Sequence, residues 1–440
     1  MAEAPPTVVI RGGSVVGLAG RSRADVVLDE GVVVAVGPDL EVPSGAVVLD
    51  ASGCVVSPGL VDLHTHLRQP GQEEAETVES GARAGALGGF TALVAMPNTN
   101  PPIDSVAVAQ EVLALGRGRS CEVLVAGAIT LGRRGEELAP LRELAELGVR
   151  LFTDDGSGVQ SGAVMRRALE YARGLGITLA QHCEDAALAG GGAMHDGEWS
   201  SRLGLPGIPA AAEEAMLARD LALVRQCGGP MHFLHLSTHG SVELVAAAKA
   251  EGLPVTAEVT PHHLTLTHAD VRGYDPIFKV NPPLRTAEDT QSLARALAAG
   301  TIDAIATDHA PHPPEAKDLP FDQAPPGMLG LETALSVSIQ ALEGMLTLEE
   351  VIAKMTSAPA AIAGISPAHR GAATAQGGPV AVGAAGHICV FDPEATWTVD
   401  ERRQASRSRN TPFAGTTLRG RVRHTVYAGV PVVIDAEAQR

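Results

Sequence analysis

Short apolar runs alternate with amphipathic segments through the middle of the chain. The runs are rich in β-branched residues and have the length of buried strands, whereas the segments between them repeat apolar positions with the period of a helix. The eight runs cover residues 54–61, 90–96, 121–129, 149–153, 177–181, 232–236, 254–259 and 302–307. Because strands that alternate with helices pair in parallel, we expect an α/β fold, a closed (β/α)8 TIM-like barrel. An open doubly wound sheet is the alternative, although no Gly-x-Gly-x-x-Gly turn follows the first run.

The two ends of the chain show a different pattern, in which short strands and tight turns follow one another without helical segments. This pattern covers residues 7–56 and returns after a linker rich in Gly, Ala and Pro at 366–380. The simplest account pairs both ends in one small β-sandwich module. We therefore expect two domains, a composite β module of residues 1–56 with 370–440 and a barrel domain at 57–369.

The composition indicates a large apolar core and argues against several classes of binding partner. Of the 440 residues 45% are hydrophobic, and the formal net charge of −18 argues against nucleic acid or an anionic membrane as a partner. No apolar run reaches the length of about 20 residues that a membrane-spanning helix needs. Met1–Pro6 lack the basic and then apolar pattern of a secretion signal, and the five cysteines include no Cys-x-x-Cys pair. We expect a soluble, cytoplasmic protein with reduced thiols.

The first apolar run leads into two histidines that stand two residues apart. On a strand such residues face the same side, so His64 and His66 can converge on one point. Two neutral imidazoles at one point suit a divalent metal such as zinc. A lone His-x-His pair is as readily two ordinary strand histidines. The hypothesis of a metal site therefore depends on whether other strand ends supply further ligands.

Seven of the eight predicted strand ends carry side chains that can bind a metal or a substrate. In a (β/α)8 barrel the carboxyl ends of the strands meet on one face, which carries the active site. Taken alone, Asp155 before Gly156 is typical of a turn, and Asp308 is a good cap for the segment after it. Their shared position favours a metal site instead. The side chains concerned are His64, His66, Arg68, Asn98, Asp154, Asp155, His182, His235, Glu258, His262, His263, Asp308 and His312.

Five sequence motifs carry a family resemblance. They are Pro58–Arg68, Met96–Thr99, Phe152–Gly156, Lys279–Arg285 and Ala306–His312. With these motifs the chain resembles the amidohydrolase superfamily and, within it, the bacterial class I dihydroorotases, over nearly its whole length. The resemblance implies the reversible cyclisation of N-carbamoyl-L-aspartate to L-dihydroorotate, a step of pyrimidine (UMP) biosynthesis.

The resemblance also implies a site with two zinc ions per chain. Asp155 would bridge the metals where many relatives use a carbamylated lysine, since no lysine lies between Val149 and Val159. The alternative carboxylate is Asp154, and the spacing from His182 in the family selects Asp155. The implied metal ligands are His64, His66, Asp155, His182, His235 and Asp308. Asp308 would also be the catalytic residue that carries the proton between water and the ring nitrogen.

Substrate contacts follow from the same resemblance. Arg68 offers a planar, bidentate donor for the substrate carboxylate. The implied substrate-binding residues are His66, Arg68, Asn98, Asn281, His312, Pro326 and Gly327, although a Phe is common in relatives where this chain has Pro326. The long segment 311–327 is expected to act as a lid. For His262 and His263, which follow a strand that supplies no ligand in the family, we expect roles in supporting the ligands or in packing.

Two other functions share part of this signature. A hydantoinase or allantoinase would use the same fold and metals, but Arg68, Asn98 and Asn281 favour a substrate with a carboxylate. A non-catalytic scaffold for aspartate transcarbamoylase would typically lack ligands, whereas all six positions are filled here. We expect a small-molecule substrate and a homo-oligomer, and association with aspartate transcarbamoylase stays open.

Overall fold

The computed structural model describes residues 5–17 and 20–439. The expectation about the N-terminal segment 1–6 therefore lies largely outside the described residues. Strands and helices are mixed in the α/β manner that the sequence pattern predicts. None of the described helices combines the length and the apolar character that crossing a membrane requires.

Both ends of the chain contribute to one nine-stranded sheet. In spatial order its strands are Glu437–Ala438, Val430–Ile434, Thr417–Tyr427, Ile388–Thr398, Val55–Pro58, Val8–Gly17, Gly20–Asp29 and Val32–Gly37, with Val47–Asp50 beside Val8–Gly17. The antiparallel pairing of Ile388–Thr398 with Val55–Pro58 joins the two ends of the chain. Alternating strand positions bury a separate apolar core under this sheet, with Ile10, Leu28, Val56, Val390 and Val426 among its members.

Eight further strands run parallel in sheets of three and five, and each overlaps one of the eight predicted runs. They are Leu60–Thr65, Phe90–Ala95 and Glu122–Val125, then Leu151–Thr153, Thr178–Gln181, Met231–Phe233, Val255–Val259 and Ala304–Ile305. Single parallel bridges join the two sheets, one between Gly127 and Phe152 and one between Thr65 and His309. In each bridge one residue lies just beyond the end of its strand, Gly127 after Glu122–Val125 and His309 after Ala304–Ile305.

The first predicted run, 54–61, is two strands rather than one. Val55–Pro58 belongs to the nine-stranded sheet and Leu60–Thr65 to the parallel strands. The chain changes sheets at Gly59, where a Cβ atom would lie only 2.2 Å from Thr91 Oγ1. Only glycine allows this close approach, and hydrophobicity alone does not reveal it.

The chain also forms helices, several of which pack on the outer side of the parallel strands. Their bounds are Val78–Leu87, Val106–Gly116, Leu141–Leu147, Gly162–Leu175, Ala186–Ala189, Glu198–Leu203, Ala210–Cys227, His239–Ala250, Ala287–Ala298, Pro314–Lys317, Ala334–Ala341, Leu348–Met355 and Ser357–Ile362. A short two-stranded pair, Met194–His195 with Gly207–Ile208, lies among them. Threonine side chains cap several helices by accepting a hydrogen bond from the backbone of the first turn, as Thr77 does from Ser80 and Thr347 from Glu350.

Alternation along the parallel strands divides the core into two layers. Leu60 belongs to the large cluster under the helices, whereas Val61 and Leu63 belong to an inner cluster between the strands. Ala360 and Ile365 pack against the inner cluster. With apolar side chains filling the interior, polar side chains collect where the strands end.

Candidate metal centre

The six predicted metal ligands lie together at the carboxyl ends of the parallel strands. His64 lies within the strand Leu60–Thr65, and His66 follows it directly. Each of the other four follows another strand, and all six are at least 95% buried. Two groups of donor atoms are close enough to share a metal ion, His64 with His66 and Asp155, and Asp155 with His182 and His235.

Asp155 stands at the centre, and its two oxygens face different histidine pairs. Oδ2 lies 3.4 Å from His64 Nε2 and 3.5 Å from His66 Nε2. Oδ1 lies 3.5 Å from both His182 Nδ1 and His235 Nε2. A carboxylate in this position can offer one oxygen as a ligand to each of two adjacent metal sites.

Asp308 joins the side of the site that His64 and His66 occupy. Its Oδ1 lies 3.0 Å from His66 Nε2 and 3.5 Å from His64 Nε2. The backbone of Asp308 has φ 46°, and that of His235 has φ 29°. A positive φ is costly for residues with side chains and is concentrated at functional sites. The strand ends are thus bent to aim these two side chains inward.

Unpaired buried atoms fit a metal at this point. His64 Nε2 and Asp155 Oδ1 make no hydrogen bond with any described residue. The nitrogens His182 Nδ1 and His235 Nε2 face each other at 3.0 Å. Buried lone pairs that converge without donors are costly, and a divalent cation is the partner that imidazole and carboxylate ligands suit.

The electrostatics of the site keep its carboxylates ionised. Burial by itself raises the pKa of Asp155, but His64 and contacts with His182 and His235 bring that pKa well below its usual range. Burial likewise opposes ionisation of Asp308, and His64 and His66 hold its pKa low. Burial keeps the His66 pKa below the ordinary value, which favours the neutral imidazole that binds metals.

Asp154 and Asp155 have different partners. The carboxylate of Asp154 accepts hydrogen bonds from the backbone of Ile129 at 2.9 Å and of Thr130 at 3.0 Å, and also from the Thr130 hydroxyl. It ties the third strand end to the fourth and points away from the histidines. Asp155 is the carboxylate that lies among them.

A buried glutamate that the sequence analysis did not assign orients the first histidine. Glu258 Oε1 lies 2.9 Å from His64 Nδ1, and its Oε2 lies 3.0 Å from His232 Nε2. The two imidazoles help to hold the pKa of Glu258 at about 2 although burial opposes this. An ionised Glu258 places the proton on His64 Nδ1 and turns the Nε2 lone pair toward the site. An acidic residue inside the apolar run 254–259 was the available signal.

Further buried acids fix the strand ends that carry the ligands. Asp62 accepts hydrogen bonds from Thr307 N at 2.8 Å and from Thr65 Oγ1 at 2.6 Å, which links the first strand to the eighth. Glu213 accepts from Ser237 N at 3.0 Å, close to His235. These hydrogen bonds hold the ligand-bearing backbone in place.

A cavity of about 170 Å³ opens directly over the ligands. Its lining includes every predicted substrate-binding position. Those positions are His66, Arg68, Asn98, Asn281, His312, Pro326 and Gly327. The structure therefore brings the predicted contacts together on one small space.

Arg68 supplies the positive charge of this cavity. It is 7% exposed, its Nε donates to the carbonyl of Pro311 at 3.1 Å, and no carboxylate among the described residues pairs with it. Burial lowers its pKa to about 10, so the guanidinium stays charged at neutral pH. A buried cation without a counter-ion among the described residues suits an anionic ligand.

The side-chain amides of Asn98 and Asn281, which line the same cavity as Arg68, keep hydrogen-bonding atoms available for a ligand. Asn98 Oδ1 lies 2.8 Å from His66 Nδ1, which leaves its Nδ2 free to donate. Asn281 Oδ1 is buried and has no hydrogen-bond partner in the described chain. Both residues can therefore fix the orientation of a polar ligand.

The segment 311–327 covers one side of the cavity. It is held down by Lys317, which is 6% exposed and donates to the carbonyls of Pro276 at 3.0 Å and Pro325 at 2.8 Å. The backbone groups at its end are already used, because Gly327 N donates to the Lys279 carbonyl at 2.8 Å and the Pro326 carbonyl faces His312 Nε2. A ligand would thus contact Pro326 and Gly327 through complementary shape rather than through hydrogen bonds to these backbone groups.

His262 and His263 lie behind the site. His263 Nδ1 faces the Thr260 hydroxyl at 2.8 Å, and its Nε2 faces the Pro282 carbonyl at 3.0 Å. The rings of His262 and His263 pack 4.6 Å apart. Both are buried and add no atom to the metal-binding groups above.

Comparison with known proteins gives a consistent result. A family model described as dihydro-orotase-like matches residues 53–241. The chain is 48% identical to a dihydroorotase of Anaeromyxobacter dehalogenans, over 98% of this chain and 99% of that protein. It is 46% identical to a dihydroorotase of Mycobacterium tuberculosis, over 94% and 96%. Among solved structures, an L-hydantoinase (dihydropyrimidinase) from Arthrobacter aurescens has a TM-score of 0.86 at 25% identity and covers 99% of this chain and 98% of that one.

Substitution Glu258→Gln tests how the first histidine is oriented. It keeps the shape of the side chain and removes its charge, so we expect divalent-metal affinity to fall about 10- to 100-fold. Competition with a chelator of known affinity measures this. The matched control is Asp303→Asn, which removes a carboxylate that pairs with Lys249 and touches no ligand. Equal metal affinity in the two variants would contradict the assigned role.

Proposed function

The chain belongs to the dihydroorotase family, and we propose that it interconverts N-carbamoyl-L-aspartate and L-dihydroorotate in pyrimidine biosynthesis. The observation that carries the proposal is the position of Asp155, with each carboxylate oxygen toward a different histidine pair, beneath a cavity lined by Arg68, which pairs with no carboxylate of the described residues. This combination suits the hydrolysis of a cyclic amide that also bears a carboxylate.

We propose that the site holds two zinc ions. His64, His66 and Asp308 would hold one, His182 and His235 would hold the other, and Asp155 would serve both. The donor set supports this, since imidazole nitrogens and carboxylate oxygens are ordinary zinc ligands. When bound, the ions supply polarisation of the amide carbonyl and lower the pKa of water.

The residues of the chain account for the rest of the chemistry. Arg68 would bind the substrate carboxylate, and Asn98 Nδ2 and Asn281 Oδ1 would orient the ring or its open-chain form. Asp308 lines the cavity and is held ionised, so it can accept the proton of the attacking water. It would then deliver that proton to the ring nitrogen that leaves. In the cyclisation direction the same carboxylate takes the proton from the nitrogen that closes the ring and delivers it to the oxygen that leaves as water.

The architecture proposed with this function is a closed (β/α)8 barrel at 57–369 and a β-sandwich module of residues 1–56 with 370–440. The two bridges between the parallel sheets support closure. Closure would explain why residues that follow six of these strands line one cavity. The family resemblance further supports a cytoplasmic homo-oligomer, and association with aspartate transcarbamoylase as an additional proposal.

A hydantoinase is the second candidate, because the fold matches an L-hydantoinase closely. Assays of the zinc-loaded chain with dihydroorotate, hydantoin and allantoin decide between the substrates. We expect turnover of dihydroorotate alone, lost on chelation and restored by zinc. Rapid turnover of allantoin or hydantoin with none of dihydroorotate would overturn the proposed substrate. A metal-loaded chain without activity on any of them would support a scaffold instead.

The variant Asp308→Asn separates proton transfer from metal binding. We expect it to keep much of the metal and to lose about 10²- to 10⁴-fold in kcat, the usual contribution of a positioned acid–base group. Metal content by mass spectrometry and steady-state kinetics on dihydroorotate measure both quantities. A kcat close to that of the unmodified chain would refute the proton transfer assigned to Asp308.

Replacement of Arg68 tests the carboxylate contact. Arg68→Ala should raise KM for dihydroorotate by about 10- to 100-fold, the effect of losing hydrogen bonds to a charged group, with metal content unchanged. Arg68→Lys keeps the charge but not the fork of donors, so we expect it to recover only part of this loss. If both variants bind dihydroorotate normally, the carboxylate lies elsewhere.

A further inference from the structure

A buried polar segment of the C-terminal tail reaches the wall of the cavity. Residues 404–411 lie in the connection between two strands of the nine-stranded sheet, Ile388–Thr398 and Thr417–Tyr427. Several of its polar side chains are almost fully buried, with Ser406 and Asn410 at 2% exposure and Ser408 fully buried. Buried polar groups need hydrogen-bond partners, so the partners of this segment indicate what it holds.

Asn410 binds both ends of the segment that covers the cavity. Its Nδ2 donates to the carbonyls of Ala310 at 2.9 Å and Gly327 at 3.1 Å. Its Oδ1 accepts from the backbone of His312 at 3.1 Å, and its own carbonyl accepts from Leu329 N at 3.1 Å. One residue of the tail thus joins the chain entering the segment 311–327 to the chain leaving it.

The three backbone positions that the Asn410 side chain contacts all line the cavity. Ala310, His312 and Gly327 are part of the wall, whereas Asn410 itself is not. Gly327 is packed so closely that a Cβ atom there would lie 2.8 Å from both Ala310 Cβ and His312 Nε2. A wall built this tightly depends on how its two ends are held.

An asparagine suits this place because of its hydrogen-bonding groups. Two carbonyls require two N–H donors, and the backbone N–H of His312 requires an acceptor. The carboxamide supplies all three from one planar group. A carboxylate would place an oxygen against the two carbonyls, and alanine would leave all three backbone groups without a partner.

We propose that Asn410 is a positioning residue for substrate binding, through which the terminal sheet holds the cavity wall formed by Ala310, His312 and Gly327. The inference rests on the proposed function, since it concerns the same cavity. Different residues would then support the metal ligands and the substrate-binding wall. The metal ligands are fixed by buried acids such as Glu258 and do not depend on Asn410, whereas the substrate-binding wall does.

The variants Asn410→Ala and Asn410→Asp test this, with Ser408→Ala as the matched control. Ser408 lies on the same segment, is fully buried, and donates to the Ala75 carbonyl at 2.8 Å, away from the cavity lining. All variants keep the backbone bond between residue 410 and Leu329. The readouts are KM and kcat for dihydroorotate, zinc content, and hydrogen exchange of peptides that span residues 310–329.

We expect both Asn410 variants to raise KM about tenfold or more, as losing buried hydrogen bonds that fix a binding wall should do. Zinc content and the exchange of other peptides should stay as in the control, and peptides 310–329 should exchange faster. If Asn410→Ala is not recovered folded, Asn410→Ser, which keeps one hydroxyl, enters the same comparison. An Asn410 variant whose KM and loop exchange match those of Ser408→Ala would overturn the proposal.

The experiment distinguishes failure of the proposed function from failure of the inference about Asn410. An unmodified chain that does not turn over dihydroorotate would refute the function itself. Failure of the inference would instead be an active unmodified chain whose Asn410 variants bind dihydroorotate as well as the control does.

Discussion

The constraint on which the site depends is the convergence of four imidazoles on the two oxygens of one buried carboxylate. Asp155 is 2% exposed and meets each pair of histidines through a different oxygen. Removing a charged group from water is costly unless partners compensate for the lost solvation. The compensation here comes from the histidines and, in the proposed enzyme, from metal ions.

Many of the hydrogen bonds around the site hold the four histidines and Asp155 in this arrangement. Glu258 orients His64, Asp62 links the first and eighth strand ends, and Asp154 links the third and fourth. The backbone of Asp308 is held at a positive φ by this surrounding structure. Such fixed ligands act with little rearrangement, which is what a catalytic metal site requires. The same principle extends to the substrate side, where Asn410 joins the terminal sheet to the cavity wall.

The sequence predicts the parts that follow from periodicity. Alternation between strand and helix gives the eight parallel strands, and the two-residue spacing of His64 and His66 gives the first edge of the site. The position of polar residues after apolar runs gives the other ligands, because parallel strands end on the same side.

What the sequence does not predict depends on contacts between distant segments. The need for glycine at residue 59, where the chain changes sheets, follows from the closeness of Thr91, 32 residues further on in the sequence. The choice between Asp154 and Asp155 needed the family, since both stand at the same strand end, and the structure distinguishes them by their partners. Glu258 contacts His64 and Asn410 contacts Gly327, each more than 80 positions away. An acid inside an apolar run marks Glu258 as unusual without showing its partner, and no local pattern identifies Asn410.

The most direct measurement is anomalous diffraction from crystals of the zinc-loaded chain, recorded on both sides of the zinc absorption edge. The proposed two-zinc site predicts two anomalous peaks per chain, one beside His64, His66 and Asp308 and one beside His182 and His235. Each should lie about 2.0–2.2 Å from a different oxygen of Asp155, as zinc–carboxylate bonds do. A single peak, or two peaks without Asp155 between them, would contradict it.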